Sequence, residues 1–202
     1  MDRLLEGYRR FRNDVWPEER ARYEKLAGQA QTPHTLVVAC SDSRVDPQTV
    51  FGAVPGELFV VRNVAGFVPP YEPDGGSHGT SAALEYGVRV LKVKRIVVLG
   101  HESCGGVQAM VLGAPREARD FVVPWMAVAE PVLRRVPRCD DASEMLTACE
   151  HEIVRLSLEN LRTFPWIAEA ADAGRLDLVG FRFAIRTGIL ERLAGERFEP
   201  VV

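Results

Sequence analysis

The chain has 202 residues, 47% of them hydrophobic, with 25 Lys and Arg against 28 Asp and Glu for a formal net charge of -3. That length and apolar content suit a single domain over residues 1–202, and the near balance of charge gives no electrostatic case for nucleic acid or an anionic membrane, so a small molecule is the expected partner. Frequent charges at the start, no apolar run of membrane-spanning length and four cysteines without regular spacing read as a cytoplasmic protein in a reducing compartment.

Between residues 4 and 26, Leu4, Leu5, Tyr8, Phe11, Val15, Tyr23 and Leu26 recur at roughly helical spacing, with Pro17 as the expected break between two helices. Residues 1–30 thus read as a helical arm for another subunit, or as two helices packed on their own domain. Leu36, Val37, Val38 and Ala39 form a short apolar run of the kind that makes a buried parallel strand, and it ends on Cys40. A short helix is expected over 45–51, and Pro55-Gly56 turns the chain into a second apolar run at 58–61. The loop that follows is rich in Pro and Gly, and loops of that length usually carry function. Thr80 or Ser81 is the predicted cap of a helix over 82–91, which leads to a third strand at 96–99.

Gly105 and Gly106 open another helix. Residues 114–142, with four prolines and mixed charge, give no clear pattern. Ser143 is the predicted cap of a longer helix with Leu146, Cys149, Ile153, Leu156 and Leu161 on one stripe. Residues 176–185 read as a strand, or two with a kink at Gly180, before Thr187-Gly188 turns into a C-terminal edge strand. Strand and helix patterns alternate throughout, so the class is α/β with a mainly parallel central sheet flanked by helices.

The chemistry gathers at two strand ends. His101 and Cys104 are three apart at the start of a helix, where both side chains can face one point and the helix dipole favours a thiolate. Cys40, at the mouth of another strand of the same sheet, completes a set of two thiolates and one imidazole, which suits Zn²⁺ and leaves one tetrahedral position open. At such a position zinc lowers the pKa of water towards ~7, which supplies hydroxide at neutral pH. Asp42 can accept a proton from that hydroxide and aim its lone pair, while Arg44 can hold the carboxylate in a bidentate pair; an unrestrained Asp42 could instead swing onto the metal. Read singly, Cys40 and Cys104 are inert buried thiols and Asp42 with Arg44 a loop ion pair. Cys40 as a nucleophile facing an anion held by Arg44 is a further alternative, although three intervening residues make a short cradle without a glycine. Cys149 and His151 stand about 200° apart on a helix and cannot chelate together from it.

Cys40-Ser41-Asp42-Ser43-Arg44 and Gly100-His101-Glu102-Ser103-Cys104-Gly105-Gly106 resemble the two signature motifs of the β-class carbonic anhydrases, in the right order and at a fitting separation. The segments at 55–63, 79–86 and 157–161 are similar to further family segments, most closely those of the plant-like branch. The resemblance implies Cys40, His101 and Cys104 as ligands of one zinc ion per subunit and Asp42 with Arg44 as the catalytic dyad. It also implies that Gln31 hydrogen-bonds a substrate oxygen, that Phe59, Val64 and Tyr86 wall the CO₂ pocket, and that Gly105 contributes to substrate binding. Some walls come from a second subunit in the family, so a homodimer or larger homo-oligomer is expected, with the N-terminal helices as its arm. The implied activity is reversible hydration of CO₂ to bicarbonate and a proton; the alternatives are CS₂ or COS hydrolysis on the same fold, and a non-catalytic zinc or bicarbonate-binding protein. Two departures from the family pattern stand out. Val37 occupies a position where members with a regulatory bicarbonate pocket carry Trp, and Gly66 one where Asn is common.

Overall fold

Leu36, Val37, Val38 and Ala39 are wholly buried, as befits a strand covered on both faces in a parallel sheet. They belong to β1 (Thr35–Cys40). The computed structural model describes residues 1–137 and 139–201 and falls into two compact units, Met1–Thr32 and Pro33–Val202.

In the first unit, α1 (Asp2–Arg10) runs through a wider π-helical stretch, Phe11–Val15, into α2 (Trp16–Ala27). The helix is therefore not broken at Pro17, which sits in the first turn of α2. Proline lacks the N–H that would close an i to i−4 bond, and the π stretch just before it takes up the defect while the backbone stays helical. Phe11, Trp16 and Tyr23 cluster at ring separations of 5.1 to 6.2 Å, whereas Leu4, Tyr8 and Val15 are exposed.

The second unit follows β1 with α3 (Pro47–Phe51), β2 (Leu58–Asn63), α4 (Gly79–Glu85, continued as a π turn to Val90), β3 (Arg95–His101) and α5 (Gly105–Leu112). Then come α6 (Val122–Ala127), α7 (Pro131–Arg135), α8 (Ala142–Leu161), α9 (Pro165–Asp172), β4 (Asp177–Ala184), β5 (Ile189–Ala194) and β6 (Arg197–Pro200). The six strands lie in the order β2-β1-β3-β4-β5-β6. The first four are parallel and the last two antiparallel, so the tail supplies two strands where one edge strand is expected from sequence. Glu191, Arg192, Arg197 and Glu199 make these strands look polar, and charge is what protects a sheet edge from further pairing.

Asp141, not Ser143, caps α8, its carboxylate accepting from the N–H groups of Ser143 and Glu144. Thr80 lies inside α4 and accepts a hydrogen bond from Asn63 Nδ2 at 3.0 Å, while α4 begins at Gly79 without a side-chain cap. β4 runs through Gly180 without a break. That glycine has a packing role: a Cβ on Gly180 or on Gly100 would stand 2.7 Å from a methyl of Val154, so bare backbone lets α8 sit tightly on β3 and β4.

The main core lies under α4 and α8, where Leu36, Val38, Phe67, Leu84, Ile96 and Ile153 meet; Val37, Ala39, Val97 and Leu99 form a smaller cluster on the other face. The chain leaves β1 for β2 on one side and returns past it to β3 on the other. The crevice at the carboxyl ends of β1 and β3 is therefore the switch point of the sheet, where open α/β folds bind ligands. No helix among the described residues is long and apolar enough to cross a membrane.

Candidate metal centre

Ala39 pairs with Leu99 across β1 and β3, so Cys40 and His101 emerge side by side at the switch point. Two residues on, Ser103 takes a left-handed backbone, φ 58°, and turns the chain so that Cys104 stands at the N-terminus of α5. The two sulfurs are 3.9 Å apart. The candidate ligand atoms of Cys40, His101 and Cys104 all lie within 4.8 Å of one another, and all three residues are buried.

Zinc fits this group on the structure's own terms. Zn–S bonds of about 2.3 Å at a tetrahedral angle separate two sulfurs by about 3.8 Å. His101 Nδ1 lies 2.8 Å from the Glu102 carbonyl oxygen; a carbonyl only accepts, so Nδ1 carries the proton and Nε2 presents its lone pair. Nε2 is buried without a hydrogen-bond partner, which a metal ligand explains and a core histidine does not. A thiol proton lies between the two sulfurs in a hydrogen bond, which lowers the Cys40 thiol against the opposing effect of burial and raises that of Cys104. A divalent cation takes the place of that proton and stabilises both thiolates.

Asp42 and Arg44 close on each other beside the group. Arg44 Nε donates to Asp42 Oδ1 at 2.9 Å and Nη2 to Oδ2 at 2.7 Å, and the Arg44 backbone N–H adds a bond to Oδ1 at 2.9 Å. These bonds hold the Asp42 carboxyl well below the usual carboxylate range, against the smaller opposing effect of its partial burial. Oδ2 stands 4.0 Å from His101 Nε2. Arg44 Nη2 also donates to the Ser103 carbonyl at 3.0 Å, tying the first motif to the second.

Sequence reasoning gives no role to Arg62, yet its guanidinium donates to the carbonyls of Cys40 (2.9 Å), Asp42 (2.7 Å) and Val45 (2.7 Å) and so braces the turn that carries the dyad. The one signal for it is a cation at the end of an otherwise apolar strand. Gly66 has φ 60°, and a Cβ there would come within 2.9 Å of the Cys40 nitrogen, so the loop passes the ligand only as glycine.

The other expected residues are spread over the chain. Val64 lies beside the first turn of α5, where a Cβ on Gly106 would meet its Cγ1 at 2.9 Å, and with Val61, Pro69, Val122 and Trp125 it lines a cleft of about 630 Å³. Gly105 faces open space at the first turn of α5. Phe59 and Tyr86 pair with each other, ring centroids 6.0 Å apart, but Phe59 precedes Asn63, the β2 neighbour of Cys40, by four residues. At ~3.3 Å per residue that is about 13 Å along the strand, so they lie towards the far end of the sheet from their own metal group. Gln31 belongs to the N-terminal unit. A larger hollow of about 850 Å³, lined by Thr35, Leu58, Arg95 and Asp177 among others, lies at the amino ends of the strands and away from the chemistry.

Residues 35–190 match the family model for carbonic anhydrase. The carbonic anhydrase of Pseudomonas aeruginosa is 39% identical over 194 residues, 95% of this chain and 87% of that protein. Among solved structures, the β-carbonic anhydrase CcaA superposes with a TM-score of 0.92 at 31% identity, covering 100% of this chain and 92% of that one. A structure from a study of two tetrameric β-carbonic anhydrases of the ascomycete Sordaria macrospora gives a TM-score of 0.74 at 30% identity, covering 100% and 95%. Matched over this length in sequence and fold, the chain belongs to the β-class carbonic anhydrases.

Proposed function

We propose that the chain catalyses the reversible hydration of CO₂ to bicarbonate and a proton, with Cys40, His101 and Cys104 as the zinc ligands and Asp42 with Arg44 as the working dyad. The observation that carries this reading is the coincidence of a zinc-fitting group with a carboxylate held in place 4.0 Å from its histidine nitrogen. When bound, zinc is a Lewis acid that makes water a nucleophile at neutral pH.

The protein's own part is orientation. Asp42 stays ionised because Arg44 binds both its oxygens, so Oδ2 is an acceptor for the hydrogen of the attacking water and turns a lone pair towards carbon. Arg62 keeps that turn from moving. CO₂ has no charge and suits walls such as Val64; by the family resemblance Gln31 hydrogen-bonds a substrate oxygen and Gly105 contributes to substrate binding.

Phe59 and Tyr86 then serve the site of a second copy. Their distance from their own metal group and the 44% exposure of Tyr86 support a homo-oligomer, at least a dimer, in which residues 1–30 act as an arm with Leu4 and Tyr8 outward. A cytoplasmic setting accords with four free cysteines. Loss of ¹⁸O label from CO₂ to water, followed by mass spectrometry, tests the activity: a rate that rises with zinc content is expected, and a zinc-saturated protein that leaves the label in place contradicts it.

A further inference from the structure

One peptide group in the site is gripped from both sides. The carbonyl of Ser103 accepts from Arg44 Nη2 at 3.0 Å, and the N–H of the same peptide, that of Cys104, donates to Glu150 Oε1 at 3.3 Å. Glu150 projects from α8 and is only 2% exposed; its other oxygen, Oε2, accepts from Arg182 Nε at 2.9 Å and Nη2 at 2.8 Å. Arg182, on β4 and 5% exposed, passes its remaining nitrogen, Nη1, to Glu191 Oε2 at 2.9 Å. The close seat of α8 against Gly100 and Gly180 brings this carboxylate to the back of the metal centre.

A buried ion pair is weak evidence of stability in itself, since desolvation offsets much of its attraction. This pair, however, ends on the backbone of a metal-group cysteine next to a residue held at φ 58°. A non-glycine backbone in that region persists only when its surroundings enforce it. We infer that Glu150, neutralised by Arg182, is a positioning residue of the metal centre: it fixes the Ser103–Cys104 peptide, and through it both the Cys104 thiolate and the carbonyl that anchors Arg44. The inference rests on the metal site assigned under the proposed function.

The chemistry of the pair dictates the test. A carboxylate offers an acceptor to each side, whereas glutamine offers one oxygen and one NH₂ group. In Glu150→Gln the charged guanidinium of Arg182 claims the oxygen, and the NH₂ group is left facing the N–H of Cys104. Adding Arg182→Met removes the competing donor and lets the amide turn its oxygen to Cys104. Glu150→Asp keeps the charge for Arg182 but withdraws the carboxylate by one methylene.

Zinc affinity by chelator competition and the thiolate-to-cobalt charge-transfer bands of the Co²⁺-substituted protein report on the metal centre separately from folding, which thermal unfolding follows. Glu150→Gln and Glu150→Asp are expected to bind zinc about tenfold or more weakly and to shift the cobalt bands, and Glu150→Gln with Arg182→Met to recover affinity relative to Glu150→Gln alone. Single variants whose zinc affinity and cobalt spectrum match the wild type, with only thermal stability changed, would overturn the inference; so would a double variant no tighter than Glu150→Gln. Wild-type CO₂ hydration is measured alongside. Wild-type protein that binds zinc without turnover sinks the enzyme reading alone, because the variants are judged on metal binding.

Discussion

Arg44 binds both oxygens of Asp42, at 2.9 and 2.7 Å, and with the same Nη2 holds the carbonyl of Ser103. One guanidinium thus sets the carboxylate and braces the loop between His101 and Cys104 of the metal-fitting group. Arg44→Ala releases both, and kcat/KM for CO₂ hydration is expected to fall about 10–100-fold, the range for losing a partner that orients a metal site. Zinc content at saturating metal should stay near that of the wild type, because all three residues of the metal group remain and Glu150 still holds the Cys104 N–H. Steady-state kinetics on the metal-quantified variant decides it, and a wild-type kcat/KM would show that Asp42 needs no holder.

The ligand assignment has a direct counterpart. Cys104→Ser replaces a thiolate by a hydroxyl that binds zinc poorly, and His101 Nε2 and Cys40 alone do not make a three-ligand site. Metal analysis after dialysis against a chelator should find the variant stripped under conditions where the wild type keeps its zinc. Full retention would mean that the ligands are misassigned.

Gly66→Ala tests the loop that passes behind Cys40. The added Cβ would meet Cys40 N at 2.9 Å, Ala39 C at 3.0 Å and Leu99 O at 3.1 Å, all of them backbone atoms, at φ 60°. Left-handed backbone and overpacking together cost about 2–4 kcal/mol. Urea unfolding of the zinc-loaded variant measures it; a change within experimental error would show that the loop can move away from β1.

Acid should weaken the junction between α8 and β5. Burial holds His151 below the ordinary histidine range, so from about pH 6.5 downwards the unfolded chain takes up the proton first and stability falls. Glu191 is lowered although burial opposes it, because Arg182 and His151 bind its carboxylate; its contribution is full above the ordinary glutamate value of about 4.3 and is lost as pH drops through the lowered pKa. Glu191→Gln should therefore cost about 1–3 kcal/mol at pH 7 and less below pH 4. Unfolding curves at the two pH values check the sign, and a larger loss in acid would contradict it.

The parts of the site that are local in sequence are legible from residue type and spacing alone. Leu36 to Ala39 ending on Cys40, and residues 96–99 running into His101 and Cys104, announce two strand ends with ligands because the period and the residue types coincide within ten positions. Contacts that cross the sheet leave no such trace. Arg62 reaches back 22 positions to Cys40 and Glu150 reaches 46 to Cys104, and neither spacing has a pattern to read. The caps depart from expectation for another reason: Asp141 and Ser143 are equally good cap formers, and which one is used depends on where α8 starts. Ser103 illustrates a third limit, since nothing in its side chain announces a left-handed backbone; the loop imposes it.

Stopped-flow hydration of CO₂ at neutral to alkaline pH, by protein of measured zinc content and with Asp42→Ala beside it, bears most directly on the central claim that the two strand ends meet to form a zinc hydration site. Initial rates proportional to bound zinc are expected, with a large loss in Asp42→Ala at equal metal content. A zinc-saturated wild type no faster than buffer, even at alkaline pH, would contradict it.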